Sequence, residues 1–218
     1  MSGSLFSSLL VVVMLLNFYC LGTSRIRALV QAVALQGILL GLLPLLVHEH
    51  LDPLPVIMSF IAIFLKGLAI PLMLLRALRD LPIKREVEPL LGFVTSLMLA
   101  AVGTALAIAF GQHLPLVADP MQPHAHLAVA ASLATVFSGF LLLITRLKAV
   151  TQIVGYLVLE NGVFIFGILL LEAMPFFVEF AILLDLVVAI FVMGILINHI
   201  SHVFPSESAE RLSDLKEE

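Results

Sequence analysis

The chain has 218 residues and a formal net charge of −4; 61% of its residues are hydrophobic and only 12% are charged. Its mean hydropathy is +1.18. Because soluble domains have about half apolar and about a quarter charged residues, this composition excludes a soluble globular domain. The chain is an integral membrane protein, best divided into helices of roughly 20 residues that each cross the bilayer.

Seven apolar runs, bounded by charges, prolines and polar turns, predict an all-α bundle of seven transmembrane helices. The runs cover residues 3–22, 26–47, 54–77, 88–111, 125–145, 150–171 and 178–202. No basic residue precedes the first run and no clear cleavage site follows it, so we expect it to be a helix and not a signal peptide. The last residues, 203–218, form an acidic tail.

Basic residues are concentrated after the odd-numbered predicted helices. Arg25 and Arg27 follow the first helix. Four basic residues follow the third helix: Arg76, Arg79, Lys84 and Arg85. Two follow the fifth helix: Arg146 and Lys148. Short loops rich in lysine and arginine stay on the cytoplasmic side of the membrane. This pattern predicts an N-terminus outside and a C-terminus in the cytoplasm.

Three ionisable residues fall within the predicted spans: Lys66 in the third, Glu160 in the sixth and Asp185 in the seventh. A charge at the centre of a transmembrane helix costs about 2.5–3.5 kcal/mol even on the insertion scale, so all three are expected to face protein or water. Burial disfavours the charged forms, which predicts proton exchange near neutral pH. The alternative is a lysine–carboxylate pair that only fixes how the helices pack.

Other polar residues in the spans are candidates for supporting roles. In the stretch GYLVLENGVFIFG, residues 155–167, Tyr156 lies one turn before the glutamate and Asn161 directly follows it. We interpret both as possible accessory groups. Three amides elsewhere are expected to form hydrogen bonds between helices; these are Asn17, Gln31 and Gln36.

Pro71 lies five residues after Lys66 and has no N–H to donate to the carbonyl of Gly67. We expect it to loosen the helix beside the lysine. An ordinary tolerated kink in a transmembrane helix is the alternative interpretation.

Metal and thiol chemistry have little support in the sequence. The lone Cys20 has no cysteine with which to form a disulfide or a metal site. The histidines in or beside the outer loops lack zinc-type spacing and are expected to be surface residues; they are His48, His50, His113, His124 and His126.

Three stretches together resemble a known family. They are FLKGLAIPLMLLRALRDLP (64–82), RLKAVTQIVGYLVLENG (146–162) and FAILLDLVVAIFVMGILI (180–197). In a seven-helix chain of this length they are similar to component E of hydrogenase-4-type complexes, a membrane subunit of formate hydrogenlyase and related group 4 nickel–iron hydrogenases. Lys66, Glu160 and Asp185 match positions of that pattern, so the resemblance implies a role in proton transfer for them.

The resemblance also implies a domain organisation and partners. The last three helices, 125–202, are similar to the K subunit of respiratory complex I and to the C subunit of multi-subunit sodium/proton antiporters. They would follow a four-helix part, 1–124, and precede the cytoplasmic tail, 203–218. Implied partners are antiporter-like subunits and a membrane anchor subunit in a prokaryotic inner membrane. No cofactor is expected in this chain, while iron–sulfur clusters and a nickel–iron centre are expected in partner subunits.

The resulting hypothesis is a non-redox membrane subunit of a complex related to complex I and to group 4 hydrogenases. It would contribute to proton translocation without catalysing a reaction itself. Two alternatives remain open: a subunit of a multi-subunit cation/proton antiporter, and a structural membrane module whose buried charges only fix helix packing. We detect none of the internal repeats expected of many self-contained transporters.

Overall fold

The computed structural model describes residues 2–47, 53–80, 90–114 and 125–170, which are almost entirely helical and contain no strand. Seven α-helices and one π-helix follow in chain order: α1 (Ser2–Gly22), α2 (Ile26–Val47), α3 (Pro53–Ala62), the π-helix (Ile63–Ala69), α4 (Ile70–Asp80), α5 (Phe93–His113), α6 (Ala125–Thr145) and α7 (Ala149–Leu170). The predicted seventh helix, 178–202, and the tail lie outside the described residues.

Within the described ranges, six segments are long and apolar enough to cross a membrane. They are Gly3–Gly22, Ile26–Leu46, Ser59–Arg76, Phe93–His113, Ala125–Thr145 and Val150–Leu169. The described part of the chain is therefore that of an all-helical, multi-pass membrane protein. These segments correspond in order to the first six predicted helices.

The fourth predicted helix, 88–111, is displaced in the structure. Helix α5 begins at Phe93, after Gly92 in an extended conformation with φ −55° and ψ 151°. Leu90 is not helical, and its amide donates to the carbonyl of Thr145 at 2.8 Å. Because this hydrogen bond holds residue 90 against the end of α6, the helix starts later than the apolar run suggests. It ends at His113.

The third membrane span is one helical rod with an irregular centre. The seven-residue π-helix separates α3 from α4, and the amide of Ile70 donates to the carbonyl of Leu65, five residues earlier. Pro71 lies directly after this wide turn. Since proline excludes a regular bond to the residue four positions before it, the irregular geometry at this place has a local cause. The π-helix contains Lys66.

Helices α6 and α7 form an antiparallel pair with close backbone contact. A methyl group at Gly139 would lie 2.6 Å from the Cα of Leu159, and one at Gly162 would lie 2.6 Å from the amide nitrogen of Val136. Larger side chains at these glycines would push the helices apart. Such small residues let transmembrane helices approach closely.

Around this pair, α1 and α2 complete a four-helix core. Helix α5 packs against α6 and α1, while the third span packs along α2. The contact with α2 also depends on glycine, because a methyl group at Gly37 would lie 2.7 Å from the carbonyl oxygen of Lys66. The backbone that carries the lysine is thereby held directly on α2.

Two buried apolar clusters fill the ends of the core, and polar residues occupy the middle. One cluster includes the end of α1 and the start of α2, and the other includes the start of α1 and the end of α2. On each core helix at least one buried polar residue lies in sequence between the two clusters; these residues include Asn17, Gln36, Thr135, Glu160 and Asn161. The fold thus forms a polar layer at the centre of an apolar bundle.

Candidate functional site

The centre of the bundle holds a buried ion pair between Lys66 and Glu160. The lysine Nζ lies 3.3 Å from the glutamate Oε1, and the two side chains are only 5% and 8% exposed. The pair links the π-helix of the third span to the middle of α7. Two residues that the sequence singled out separately therefore meet inside this chain.

An aromatic ring forms a second side of the lysine site. The Lys66 Nζ lies 4.8 Å from the centre of the Phe164 ring. Phe164 follows Glu160 by four residues, so carboxylate and ring lie on the same face of α7. The face of an aromatic ring attracts cations, more strongly when water is excluded. The ammonium group thus has a carboxylate and a ring as neighbours.

The backbone around Lys66 is also unusual. The lysine lies in the middle of the seven-residue π-helix. Short π-helical turns are rare and often occur at functional sites. Together with the glycine contact to α2, the wide turn places a long charged side chain deep in the bundle.

Four neutral side chains next to the ion pair form a continuous hydrogen-bonded chain, which we call the polar network: Asn161, Gln36, Asn17 and Thr135. The Asn161 amide donates to the Gln36 Oε1 at 3.4 Å, and the Gln36 amide donates to the Asn17 Oδ1 at 2.7 Å. Asn17 then donates to the Thr135 hydroxyl oxygen at 2.9 Å. The polar network joins α7, α2, α1 and α6.

The Thr135 hydroxyl determines which group donates and which accepts in each hydrogen bond of the polar network. Its hydroxyl donates to the carbonyl of Ala131 at 2.7 Å. A hydroxyl has a single hydrogen to donate, so its oxygen must accept from the Asn17 amide. Each following amide is then oriented by the one before it. Since none of these four side chains titrates near neutral pH, the polar network provides fixed orientation and not a change of charge.

The other residues that the sequence singled out lie in different parts of the molecule. Tyr156 is partly buried and packs against the apolar cluster near the start of α7. Asn161 belongs to the polar network. Asp185 lies outside the described residues, so its place relative to the ion pair stays a prediction. Gln31 is exposed. It lies five positions before Gln36, which places it on another side of α2.

Sequence reasoning missed three residues of the bundle. Phe164 could have been found from its four-residue spacing to Glu160, which places both on one helix face. Thr135 has no such signal, since its partner Asn17 lies on a helix 118 positions away in sequence. Arg146 was interpreted as a loop cation, but it is buried, with 1% exposure.

The two loop-adjacent histidines that the structure describes contact backbone carbonyl groups. The Nδ1 of His113 lies 2.7 Å from the carbonyl oxygen of Ala109, and the Nδ1 of His126 lies 2.7 Å from that of Gly111. Across the described ranges, no group of three histidine, cysteine, aspartate or glutamate side chains could hold a metal ion. His48, His50 and His124 lie outside these ranges.

These features define a polytopic membrane protein with a buried lysine–glutamate pair at its centre. Comparison of the sequence with known proteins identifies relatives. The chain is 32% identical over 196 residues to the uncharacterized protein Rv0085 of Mycobacterium tuberculosis, with 88% of this chain and 87% of that protein covered. The chain belongs to the same family as Rv0085.

A more distant relative has a descriptive name. Hydrogenase-4 component E of Escherichia coli is 29% identical over 186 residues, which cover 85% of this chain and 83% of that protein. This homology supports the resemblance noted in the sequence motifs. The further resemblance of residues 125–202 to complex I and antiporter subunits stays a prediction. No family model and no solved structure matches the chain.

Proposed function

We propose that the protein is a non-redox membrane subunit of a hydrogenase-type complex related to respiratory complex I, and that it contributes to proton translocation through Lys66 and Glu160. The observation that carries the proposal is the ion pair buried at the centre of a multi-pass membrane protein. The homology to Hydrogenase-4 component E supports the assignment to a multi-subunit complex.

The chemistry of a buried ion pair suits proton transfer. Moving a proton from the Lys66 ammonium to the Glu160 carboxylate converts two charges into two neutral groups. In a medium of low dielectric constant, the attraction between the charges is offset by the loss of their hydration, so the free energies of the two arrangements approach each other. The protonation state of each group also depends on that of the other. A change of charge in a neighbouring subunit can then drive uptake or release of a proton at the pair.

Phe164 gives the ammonium group a second favourable contact. When Glu160 is protonated, the attraction between the two side chains falls, while the ring still stabilises the cation by about 0.5–2 kcal/mol. The lysine therefore remains in the site during the interval in which the carboxylate is neutral. In the proposed mechanism, Phe164 holds the cation and Glu160 exchanges the proton.

Further parts of the proposal extend beyond the pair. Asp185 in the seventh predicted helix and Tyr156 on α7 continue the path of proton transfer. The three-helix part, 125–202, lies beside antiporter-like subunits, and a membrane anchor subunit connects the assembly to its redox arm in a prokaryotic inner membrane. This chain holds no cofactor; iron–sulfur clusters and a nickel–iron centre belong to partner subunits and supply the electron transfer.

A purely structural role is the second candidate function. The short distance between the Lys66 ammonium and the Glu160 carboxylate favours this role as well. A lysine and a glutamate 3.3 Å apart could serve only to keep the third span on α7. An ion pair of this kind does not by itself show a transport function. The two candidates differ in what happens when the carboxylate is replaced by an amide of the same shape.

Glu160→Gln in the assembled complex distinguishes them. We expect the complex to assemble and to transfer electrons, while the number of protons moved per electron pair falls in sealed membrane vesicles. The matched control is Ser138→Ala, since Ser138 is buried but its hydroxyl bonds only within α6. An unchanged proton-to-electron ratio in Glu160→Gln would exclude the proton-transfer role.

A further inference from the structure

Arg146 is a second buried cation, at the end of the bundle where three helices meet. It follows α6, and its Nη2 donates to the carbonyl of Leu21, in the last turn of α1, at 2.6 Å. Its guanidinium carbon lies 4.9 Å from the centre of the ring of Phe93, the first residue of α5. The side chain is thus enclosed by the end of α1, the start of α5 and the end of α6.

Most of the hydrogen-bonding capacity of Arg146 is unused. A guanidinium has five N–H donors, and three of them are on Nε and Nη1. Among the described residues neither nitrogen has a hydrogen-bond partner. Burial lowers the pKa of the Arg146 guanidinium through loss of hydration. Buried donors are normally paired, and a buried cation without an anion is costly, so the described part of this site lacks a negatively charged group.

Ser96 adds an unused hydroxyl to the same junction. It lies three residues after Phe93, on the same side of α5. Its Oγ is buried and has no hydrogen-bond partner within the described ranges. Several other buried hydroxyls have partners: those of Thr135, Ser138 and Thr145 donate to the carbonyl four residues earlier in their own helix, and that of Ser132 donates to the carbonyl of Gly162. Within the described ranges the hydroxyl of Ser59, on α3, also has no partner. Ser96 therefore remains available for a ligand.

Within the described ranges, the surroundings of the junction are basic and close to the surface. The connections over 23–27 and 146–148 carry Arg25, Arg27 and Lys148 besides Arg146, and no acidic residue. Residues directly beside the contacts of Arg146 are exposed, including Gly22 and Leu147. Arg146 directly follows the span that ends at Thr145, and the end of a span lies at the level of the phospholipid headgroups.

We propose that Arg146 and Ser96 form a binding site for the phosphate of an anionic phospholipid. Guanidinium groups bind phosphate by parallel, charge-assisted hydrogen bonds. Helix α5 begins here without a side-chain cap, and helix N-termini favour anions. The surrounding basic residues disfavour a lipid whose headgroup also carries a cation. Basic pockets between transmembrane helices are known to bind anionic headgroups.

The test measures thermal stability of the full-length protein, in its complex where it purifies as one, in a neutral detergent. Phosphatidylglycerol, phosphatidylcholine and inorganic phosphate are added separately. We expect phosphatidylglycerol to raise the Tm by about 2–4 °C or more, and the other two to have little effect. The rise should be lost in Arg146→Gln and reduced in Ser96→Ala. Arg25→Gln is the matched control, because Arg25 is an exposed basic residue at the same end.

Three results would overturn the proposal. An equal rise with phosphatidylcholine would remove the preference for a net negative charge. An equal rise with inorganic phosphate would identify free phosphate as the ligand. A full rise with phosphatidylglycerol in Arg146→Gln would place lipid binding elsewhere.

If Arg146→Gln does not fold, Arg146→Lys retains the charge but loses the planar pair of donors. We then expect native mass spectrometry to show at least a several-fold loss of retained phosphatidylglycerol relative to Arg25→Gln. Equal retention in the two variants would contradict the proposal.

Discussion

The ion pair and the polar network meet at two consecutive residues of α7, Glu160 and Asn161, but they use buried polarity in different ways. In the polar network every amide is oriented by its neighbour, beginning at the Thr135 hydroxyl. In the ion pair two ionisable side chains face each other. The comparison teaches that the centre of this bundle combines a neutral part, which holds four helices, with a charged part on which the proposed proton transfer depends.

The third membrane span stands outside the polar network. Its contacts run mainly along α2, and Lys66 provides its polar link to α7. The four core helices are therefore joined by neutral hydrogen bonds, whereas the third span is joined to α7 by charge. A change in the protonation of Glu160 would act on the contact between these two parts.

The largest expected effect comes from separating the members of the ion pair. Lys66→Ala and Glu160→Ala should each lower the free energy of unfolding by about 3–5 kcal/mol, because each leaves a buried charge without its partner. The double variant should lose much less than the sum. Thermal unfolding in detergent of all three variants measures this coupling. Strictly additive losses would show that the two side chains do not interact energetically.

An intermediate effect is expected in the polar network. Thr135→Val keeps the shape of the side chain but removes the acceptor of the Asn17 amide, so stability should fall by about 0.6–1.7 kcal/mol. Ser138→Ala is the matched control, since it removes a buried hydroxyl that bonds only within α6. The measurement is the difference in Tm between the two variants. Proton movement should be almost unchanged in Thr135→Val; a loss as large as in Glu160→Gln would erase the distinction between network and pair.

The smallest expected effect concerns the aromatic ring. Phe164→Leu removes the contact with the Lys66 ammonium and should cost about 0.5–1 kcal/mol. Phe166→Leu changes the same residue type on an exposed part of α7 and serves as the control. If the ring holds the cation, combining Phe164→Leu with Lys66→Met should add little beyond Lys66→Met alone. Full additivity in this cycle, measured by thermal unfolding, would argue against that role.

Lys66 and Arg146 are both buried cations, but their depth in the membrane determines which groups can neutralise their charge. Lys66 lies in the middle of a span, where only the protein can supply a carboxylate. Arg146 lies at the end of a span, where the aqueous phase and headgroups are near. The Nε and Nη1 of Arg146 have no hydrogen-bond partner among the described residues, and at that end of the bundle a group from outside the protein can reach them.

Much of the fold could be predicted from the sequence. In lipid every backbone polar group must be satisfied within the segment, so long apolar runs must be helices. For α2 and α6 the predicted and observed bounds agree, and α1 and α7 differ by one residue at their ends. The predicted start of α5 was wrong because the amide of Leu90 donates to the carbonyl of Thr145. A contact between segments so far apart in sequence cannot be recognised from hydrophobic periodicity.

The candidate site could be predicted only in part. Ionisable residues in apolar runs are conspicuous, so Lys66 and Glu160 were recognisable as buried groups. Their pairing was not, because it depends on the π-helical turn and on how closely α2 lets the third span approach. The order of the amides in the polar network likewise depends on contacts among four helices.

By itself the sequence determined that this is a multi-pass helical membrane protein with charges inside its spans, because bilayer thickness and the cost of buried charge act on each segment separately. Only the tertiary structure decided that Lys66 meets Glu160 and Phe164, that Asn161 belongs to the polar network, and that Arg146 is buried. Those outcomes depend on distances between helices, and such distances are set by the packing of small residues across the whole bundle.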